Sequence, residues 1–482
     1  MRDCHEAVTF LRKMCNAFGA TTTLLSPQEG VNPILLAQFS ATKDASSSSS
    51  SHSRKTVLFY GHYDVVDAEV APANWNANWV GDPFNLHPLN GYLYGRGVTD
   101  NKGPILAAIY AVADLAQHHA LSCNVTFLLE GDEEAGSRGF RKTVQAHRRD
   151  IGKIDYILLS NSYWLDDHIP CLTFGMRGVV HASVTVSSNK PDLHSGMDGK
   201  SIQHEPLKDL TVLLASLVGP SGTKVTIPQF YEAVDDLDEA ELQAYATITS
   251  ALLPGHPEIE NEKSFAISLM QRWRYPNLTV HRIEVPEAKT AVTISGSAKA
   301  SLSIRIVPSQ TAEQVAHSLT KYLHEQFRKL QSTNTLRVQI TSKADPWLGD
   351  VRSQIYEALK SAITDVWNPD MVAVSQRSFP QPGDDTVETV PPLVQRRSPQ
   401  RRASTLATHG TFTSDNTPRE PLLIREGGSI PAISFLEHEF GAPAAMFPMG
   451  QASDNAHLDN ERIRVENLYK GREVLKRVFS EL

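Results

Sequence analysis

Four short apolar runs in this chain each end in side chains that can hold a cation or move a proton. Residues 56–60 run into Gly61-His62-Tyr63-Asp64, and 125–129 into Glu130-Gly131-Asp132-Glu133-Glu134. Residues 156–159 run into Ser160-Asn161-Ser162, and 444–447 lead on to Asp454-Asn455-Ala456-His457. A fifth polar knot, Asp100 in GRGVTDNKGP, precedes an apolar helical pattern. Histidine and carboxylate together make the donor set of a hard or borderline dication such as zinc. Taken singly, each signal has a plainer explanation. His62 reads as a structural histidine, Glu133-Glu134 as a solvated helix start, Asp100 as a helix cap beside Asn101 and Asn161 as a turn residue. Their recurrence where strands end is what points to a metal site.

The elements that must position these groups are legible as alternating short strands and amphipathic helices, an α/β pattern with a mostly parallel sheet flanked by helices. In such open sheets the carboxyl ends of the strands line the ligand crevice. A helix is predicted over 103–118, with Pro104 in its first turn and Ile105, Ile109, Val112 and Ala116 on one face. Another is predicted over 4–18 and a last one over 460–482. Between them, 179–186 and 299–307 alternate like half-buried strands and enclose helical segments. This predicts a separate α+β unit, 177–345, inserted between two parts of the first domain, 1–176 and 346–482. Two stretches look unlike folded protein: the serine run 46–51 and the Ser/Thr/Pro/Arg/Gln-rich 376–417, which contains QRRSPQRRAS and is expected to be a disordered insertion.

With 482 residues the chain is too long for one compact core. A hydrophobic fraction of 41% and a net charge of −8 describe a soluble protein and argue against a nucleic-acid partner. The most apolar helical stretch, 105–116, is too short for a membrane span and contains Asp114. The N-terminus, MRDCHEAVTF, lacks a secretory pattern, and the four scattered cysteines suit reduced thiols, so a cytoplasmic location is expected.

The ordered blocks FYGHYDVV, GYLYGRGVTDNKGP, LLEGDEEAGS, NSYWLDDHIPCLTFGMRG, DLHSGMDG, LSIRIVP, REGGSIP and DNAHLDNE resemble the M20 metallopeptidases, which include carnosinase-type dipeptidases and aminoacylases. The resemblance implies a hydrolase of small peptides with two divalent metal ions, zinc first, with manganese or cobalt as alternatives. His62 would bind one metal, oriented by Asp64; Asp100 would bridge both; Glu133 would be the general base; Glu134 and His457 would hold the second metal. Asn161 stands where many relatives have an aspartate ligand, and the lost charge implies a weaker first site. His194 would polarise the substrate carbonyl in a neighbouring subunit's site, which implies a homodimer and gives 177–345 a lid and dimerisation role. Arg305 would grip a substrate carboxylate with Thr293 beside it, and Glu426 and Ser429 would take the substrate amine and backbone. Ser342 stands where carnosinase-type members have histidine, which implies a different substrate preference.

Within the family, the GVTDNKGP and NSYW blocks look most like the peptidase-like subunits of fungal cytosolic glutathione-degrading complexes. That likeness implies an amidotransferase-like partner subunit, and a shortened N-terminus is expected because such relatives carry more sequence before their first helix. The competing expectations are an aminoacylase-type amidohydrolase and a catalytically impaired scaffold subunit.

Overall fold

The computed structural model describes residues 2–26, 28–43, 54–68, 79–199, 204–259, 261–286, 290–367 and 420–482. The serine run 46–51 and the 376–417 segment lie outside the described residues.

The four sequence-predicted strands are present as Thr56–His62, Asn124–Glu130, Tyr156–Leu159 and Ala444–Met446. They lie side by side, all parallel, at the centre of a nine-stranded sheet. Their near-continuous apolar sequences fit strands covered on both faces. The margins differ from a mostly parallel expectation. Thr21–Leu25 and Ile34–Phe39 form an antiparallel hairpin against Asn124–Glu130, and Cys171–Met176 runs antiparallel to Ala444–Met446. A hairpin needs no crossover helix, so the short loop after Leu25 dictates the antiparallel edge.

Helices close both sides. Gly103–Gln117 buries Ile105, Ile109, Val112 and Leu115, with Pro104 in its first turn, where a missing N–H costs nothing. The N-terminal helix is Arg2–Ala17. The last helix is Val465–Glu481, starting later than the apolar pattern alone predicts. Residues Arg462–Arg464 instead pair as a short strand with Tyr92–Tyr94, so a local ladder overrides helical propensity there.

The intervening stretch carries its own antiparallel four-stranded sheet, in the order Asn277–Glu284, Ser297–Ile306, Gly178–Ser187, Thr335–Ala344. Helices Pro206–Ser216 and Ala312–Leu330 cover one face, and Leu210, Leu213, Leu302, Ile304 and Leu319 share a core distinct from that of the large sheet. Two further helices of this stretch, Glu239–Leu252 and Glu262–Trp273, pack elsewhere. Tyr245, Ile248, Leu269 and Trp273 form a third core with Leu422 and Ile424 of the strand Leu422–Glu426, so part of 177–345 belongs by packing to the large sheet. All four cysteines are free thiols, and Cys15, Cys123 and Cys171 are buried. Among the described residues no helix is long and apolar enough to cross a membrane.

Candidate metal centre

His62 closes its strand, and Glu133 and Glu134 follow directly after Asn124–Glu130, one strand over in parallel register (His62 opposite Glu130). Asp100 enters on the loop before Gly103–Gln117. That helix approaches the strand end closely: a Cβ at Gly61 would meet Asn101 Oδ1 at 2.7 Å and Ile105 Cγ1 at 2.8 Å. Any side chain at 61 would therefore push away the helix that carries the Asp100 loop.

Asp100 is the hub. His62 Nε2 lies 2.9 Å from its Oδ1, and His457 Nε2 lies 3.2 Å from its Oδ2. His457 Nε2 is also 2.9 Å from Glu134 Oε1. On the far side of its ring, His62 Nδ1 faces Asp64 Oδ1 at 3.5 Å, and the other Asp64 oxygen accepts from the Glu134 backbone N–H at 3.0 Å. Two groups could hold metal ions: Asp100, Glu134 and His457, and His62, Glu133 and Glu134, the ligand atoms within each lying within 4.8 Å of one another. Imidazole and carboxylate donors converging from the ends of three of the central strands and from the Asp100 loop fit a pair of dications.

The electrostatics agree. Burial would raise the Asp100 carboxyl, but hydrogen bonds from His457 and His62 overcome it and hold the group low. Burial would lower His62, yet its hydrogen bonds to Asp100 and Asp64 hold it well above the ordinary value. Hydrogen bonds to Asp100 and Glu134 push His457 up to about 10. Such imidazoles sit in a strongly negative field, where a dication and a proton compete for the same nitrogen lone pair. Glu133 differs: burial first, and then the negative charges of Asp100, Glu134 and Asp64, push its carboxyl up to about 7. A carboxyl poised near neutrality can accept and return a proton.

Asn161 borders this cluster. Its Nδ2 donates to Asp100 Oδ1 at 3.1 Å, and its Oδ1 accepts from the Ser162 backbone N–H. Ser162 Oγ donates to Glu426 Oε2 at 3.2 Å, while Glu426 Oε1 accepts from the Gly427 and Gly428 N–H groups at 2.6 and 3.2 Å. Arg305 Nη1 donates to Ser429 Oγ at 3.0 Å, and Ser429 Oγ donates in turn to the Arg177 carbonyl. Thus Glu426, Ser429 and Arg305 form a second polar group linked to the first through residues 161 and 162. His194 and Thr293 stand apart. They face each other across a two-residue ladder, His194 exposed, and among the described residues neither is hydrogen-bonded to the metal cluster.

Two groups escaped the sequence reading. Glu461, 1% exposed, accepts from Arg96 Nη1 (2.9 Å) and from the N–H groups of Gly97 (2.8 Å), Thr99 (3.1 Å) and Asp100 (3.2 Å). One carboxylate thereby fastens the loop of Asp100 to the segment after His457. It ends the DNAHLDNE block, and only its distance in sequence from Asp100 concealed its role. Tyr163 is the second. Burial, and then the charge of Asp100, raise its phenol.

Residues 58–385 match the profile of peptidase family M20/M25/M40. The chain belongs to that family. It is 36% identical over 477 residues to the Saccharomyces cerevisiae protein described as "Probable di- and tripeptidase DUG2", covering 98% of this chain and 47% of that protein. The chain thus spans about half the length of that relative. A Candida albicans Cys-Gly metallodipeptidase is 30% identical over 428 residues, covering 87% of this chain and 76% of the relative. The crystal structure of human carnosine dipeptidase 1 superposes with a TM-score of 0.72 at 28% identity, covering 98% of this chain and 90% of that one. The fold shared with that structure accounts for the mixed sheet flanked by helices, at whose strand ends the metal-type residues lie.

Proposed function

We propose that this chain hydrolyses the peptide bond of di- and tripeptides at a pair of divalent cations, zinc first. Cys-Gly, the substrate named for one relative, leads the candidates, with glutathione beside it. The observation that carries this reading is the meeting of His62, Asp100, Glu134 and His457 beside a half-buried Glu133 whose carboxyl is pushed up to about 7. Bound there, two dications would polarise the scissile carbonyl and acidify a water.

The chain's own groups do the rest. Glu133 takes the proton of the attacking water and returns it to the leaving amine. Asp64 holds the His62 ring through Nδ1, leaving Nε2 to face the cation. Glu426 offers a carboxylate to the substrate ammonium. The Arg305 guanidinium, half-buried beside Ser429, offers a planar fork to the substrate carboxylate. His194 is exposed and, among the described residues, not hydrogen-bonded to the metal cluster, which supports its acting on a neighbouring copy's substrate and hence a homodimer. An amidotransferase-like partner and a cytoplasmic location complete the proposal, both resting on likeness to the fungal complex.

Turnover of Cys-Gly, glutathione, carnosine and N-acetyl amino acids, each with added zinc and with chelator, tests the reading. Chelator-sensitive cleavage of the peptides is expected. Cleavage of the acylated amino acids alone would replace it with an amidohydrolase.

A further inference from the structure

The two cation positions of this centre do not receive equal sets of ligand atoms. On the Oδ2 side of Asp100, Glu134 Oε1 and His457 Nε2 lie within 3.2 Å of their neighbours and complete a three-ligand set with one place open. On the Oδ1 side, His62 Nε2 is present at 2.9 Å with Glu133 and Glu134 in reach, and the group hydrogen-bonded to Oδ1 from the other side is Asn161. That amide turns its nitrogen, not its oxygen, toward Asp100. An amide nitrogen carries two hydrogens and no available lone pair, so it repels a cation where an oxygen would bind one.

The orientation is fixed from behind. Asn161 Oδ1 is occupied by the backbone N–H of Ser162, so a flipped amide would set its NH2 against that N–H, donor facing donor. Ser162 cannot readily turn aside. It holds φ at 72° and its Oγ donates to Glu426. Of the two carboxylates near His62, Glu134 is already engaged by His457 on the Oδ2 side, and Glu133 could complete the His62 set only by giving up its freedom to carry protons.

Resting on the metal-hydrolase reading above, we infer that Asn161 is a hydrogen-bond donor that positions Asp100 and is not a ligand, so that this chain binds one dication tightly at Asp100, Glu134 and His457 and a second weakly at His62. A one-residue step then links the two halves of the site. Asn161 braces the carboxylate shared by the cations, and Ser162 braces Glu426 in the proposed amine pocket.

Zinc titration of the full chain against a chromophoric chelator tests this without recourse to activity. The wild type is expected to bind one equivalent at least about tenfold more tightly than a second. His457→Ala removes the tight step and spares the weak one. Asn161→Ala, which deletes the donor that braces the shared Asp100 but removes no ligand, weakens both steps together by about tenfold, whereas loss of a ligand of the second cation would weaken the second step alone. Asn161→Asp supplies a charged oxygen and tightens the second step about tenfold. Two equivalents of equal affinity, or a second step lost alone in Asn161→Ala with the tight step unchanged, would overturn the inference and leave a metal hydrolase standing. No zinc uptake by the wild type would overturn both.

Discussion

Glu461→Gln probes the structural clamp on the centre. The substitution preserves shape and removes one charge. Glu461 Oε2 serves Arg96 Nη1 and the Gly97 N–H, and Oε1 serves the Thr99 and Asp100 N–H groups. Whichever way the new amide turns, its NH2 faces two donors, and the buried Arg96 loses its counter-charge. Arg96 and Glu461 side chains are 3% and 1% exposed, so solvent screening offers little relief. Breaking a buried pair from one side costs about 3–5 kcal/mol. At about 2 °C per kcal/mol for a unit of this size, thermal unfolding should fall by about 6–10 °C. Because the freed loop carries Asp100, zinc affinity should drop about tenfold as well. Circular dichroism melts of chelated protein, paired with zinc titration, read both effects. A melt within about 2 °C of wild type together with unaltered zinc affinity would refute the clamp.

Three further outcomes are expected. Glu133→Gln should keep zinc affinity within about threefold while kcat falls by about 10²–10⁴, and turnover within tenfold of wild type would remove Glu133 from the proton-transfer role. Zinc affinity should rise with pH from 6 to 8, by up to about one decade per unit for each ion bound. His62 and His457, both held above the ordinary value, are protonated below their pKa and must release those protons to the metal; a pH-independent affinity would contradict this. Mixing His194→Ala with Glu133→Gln subunits should restore about a quarter of wild-type activity if His194 serves the neighbouring copy's site, because half the dimers then contain one intact site. No recovery after subunit exchange would place His194 outside that role.

The centre was legible because metal chemistry demands particular atoms at particular strand ends. His62, Glu133 and Glu134 follow apolar runs whose composition already marks them as central strands, so topology alone brings them together. Asp100 and His457 were readable for the same reason, each flanking an element with clear apolar periodicity. Other features lay beyond sequence. The direction of the Asn161 amide depends on which neighbour offers a donor, and no pattern of residue types encodes that. Glu461 joins groups more than 360 positions away, a contact that local propensity cannot announce. The start of the last helix was misplaced because Arg462–Arg464 pairs with Tyr92–Tyr94, a partner equally remote in sequence. The helices Glu239–Leu252 and Glu262–Trp273 carry ordinary amphipathic faces that do not say which sheet they cover.

The joint at Gly178 has a consequence for how the molecule divides its labour. A Cβ there would sit 2.6 Å from the Ala344 carbonyl and from Pro346 N, so the outgoing and returning crossings between the two sheets touch. A segment whose ends meet is tied to the rest of the chain at one point along its backbone, and here it is tied by packing as well, through Tyr245, Ile248, Leu269 and Trp273 on Leu422 and Ile424. His62, Asp64, Asp100, Glu133, Glu134 and His457 all lie outside it, whereas His194, Thr293 and Arg305 lie within it. The metal-type side chains thus belong wholly to one part of the chain, while the proposed substrate contacts straddle the two and meet where Arg305 reaches Ser429.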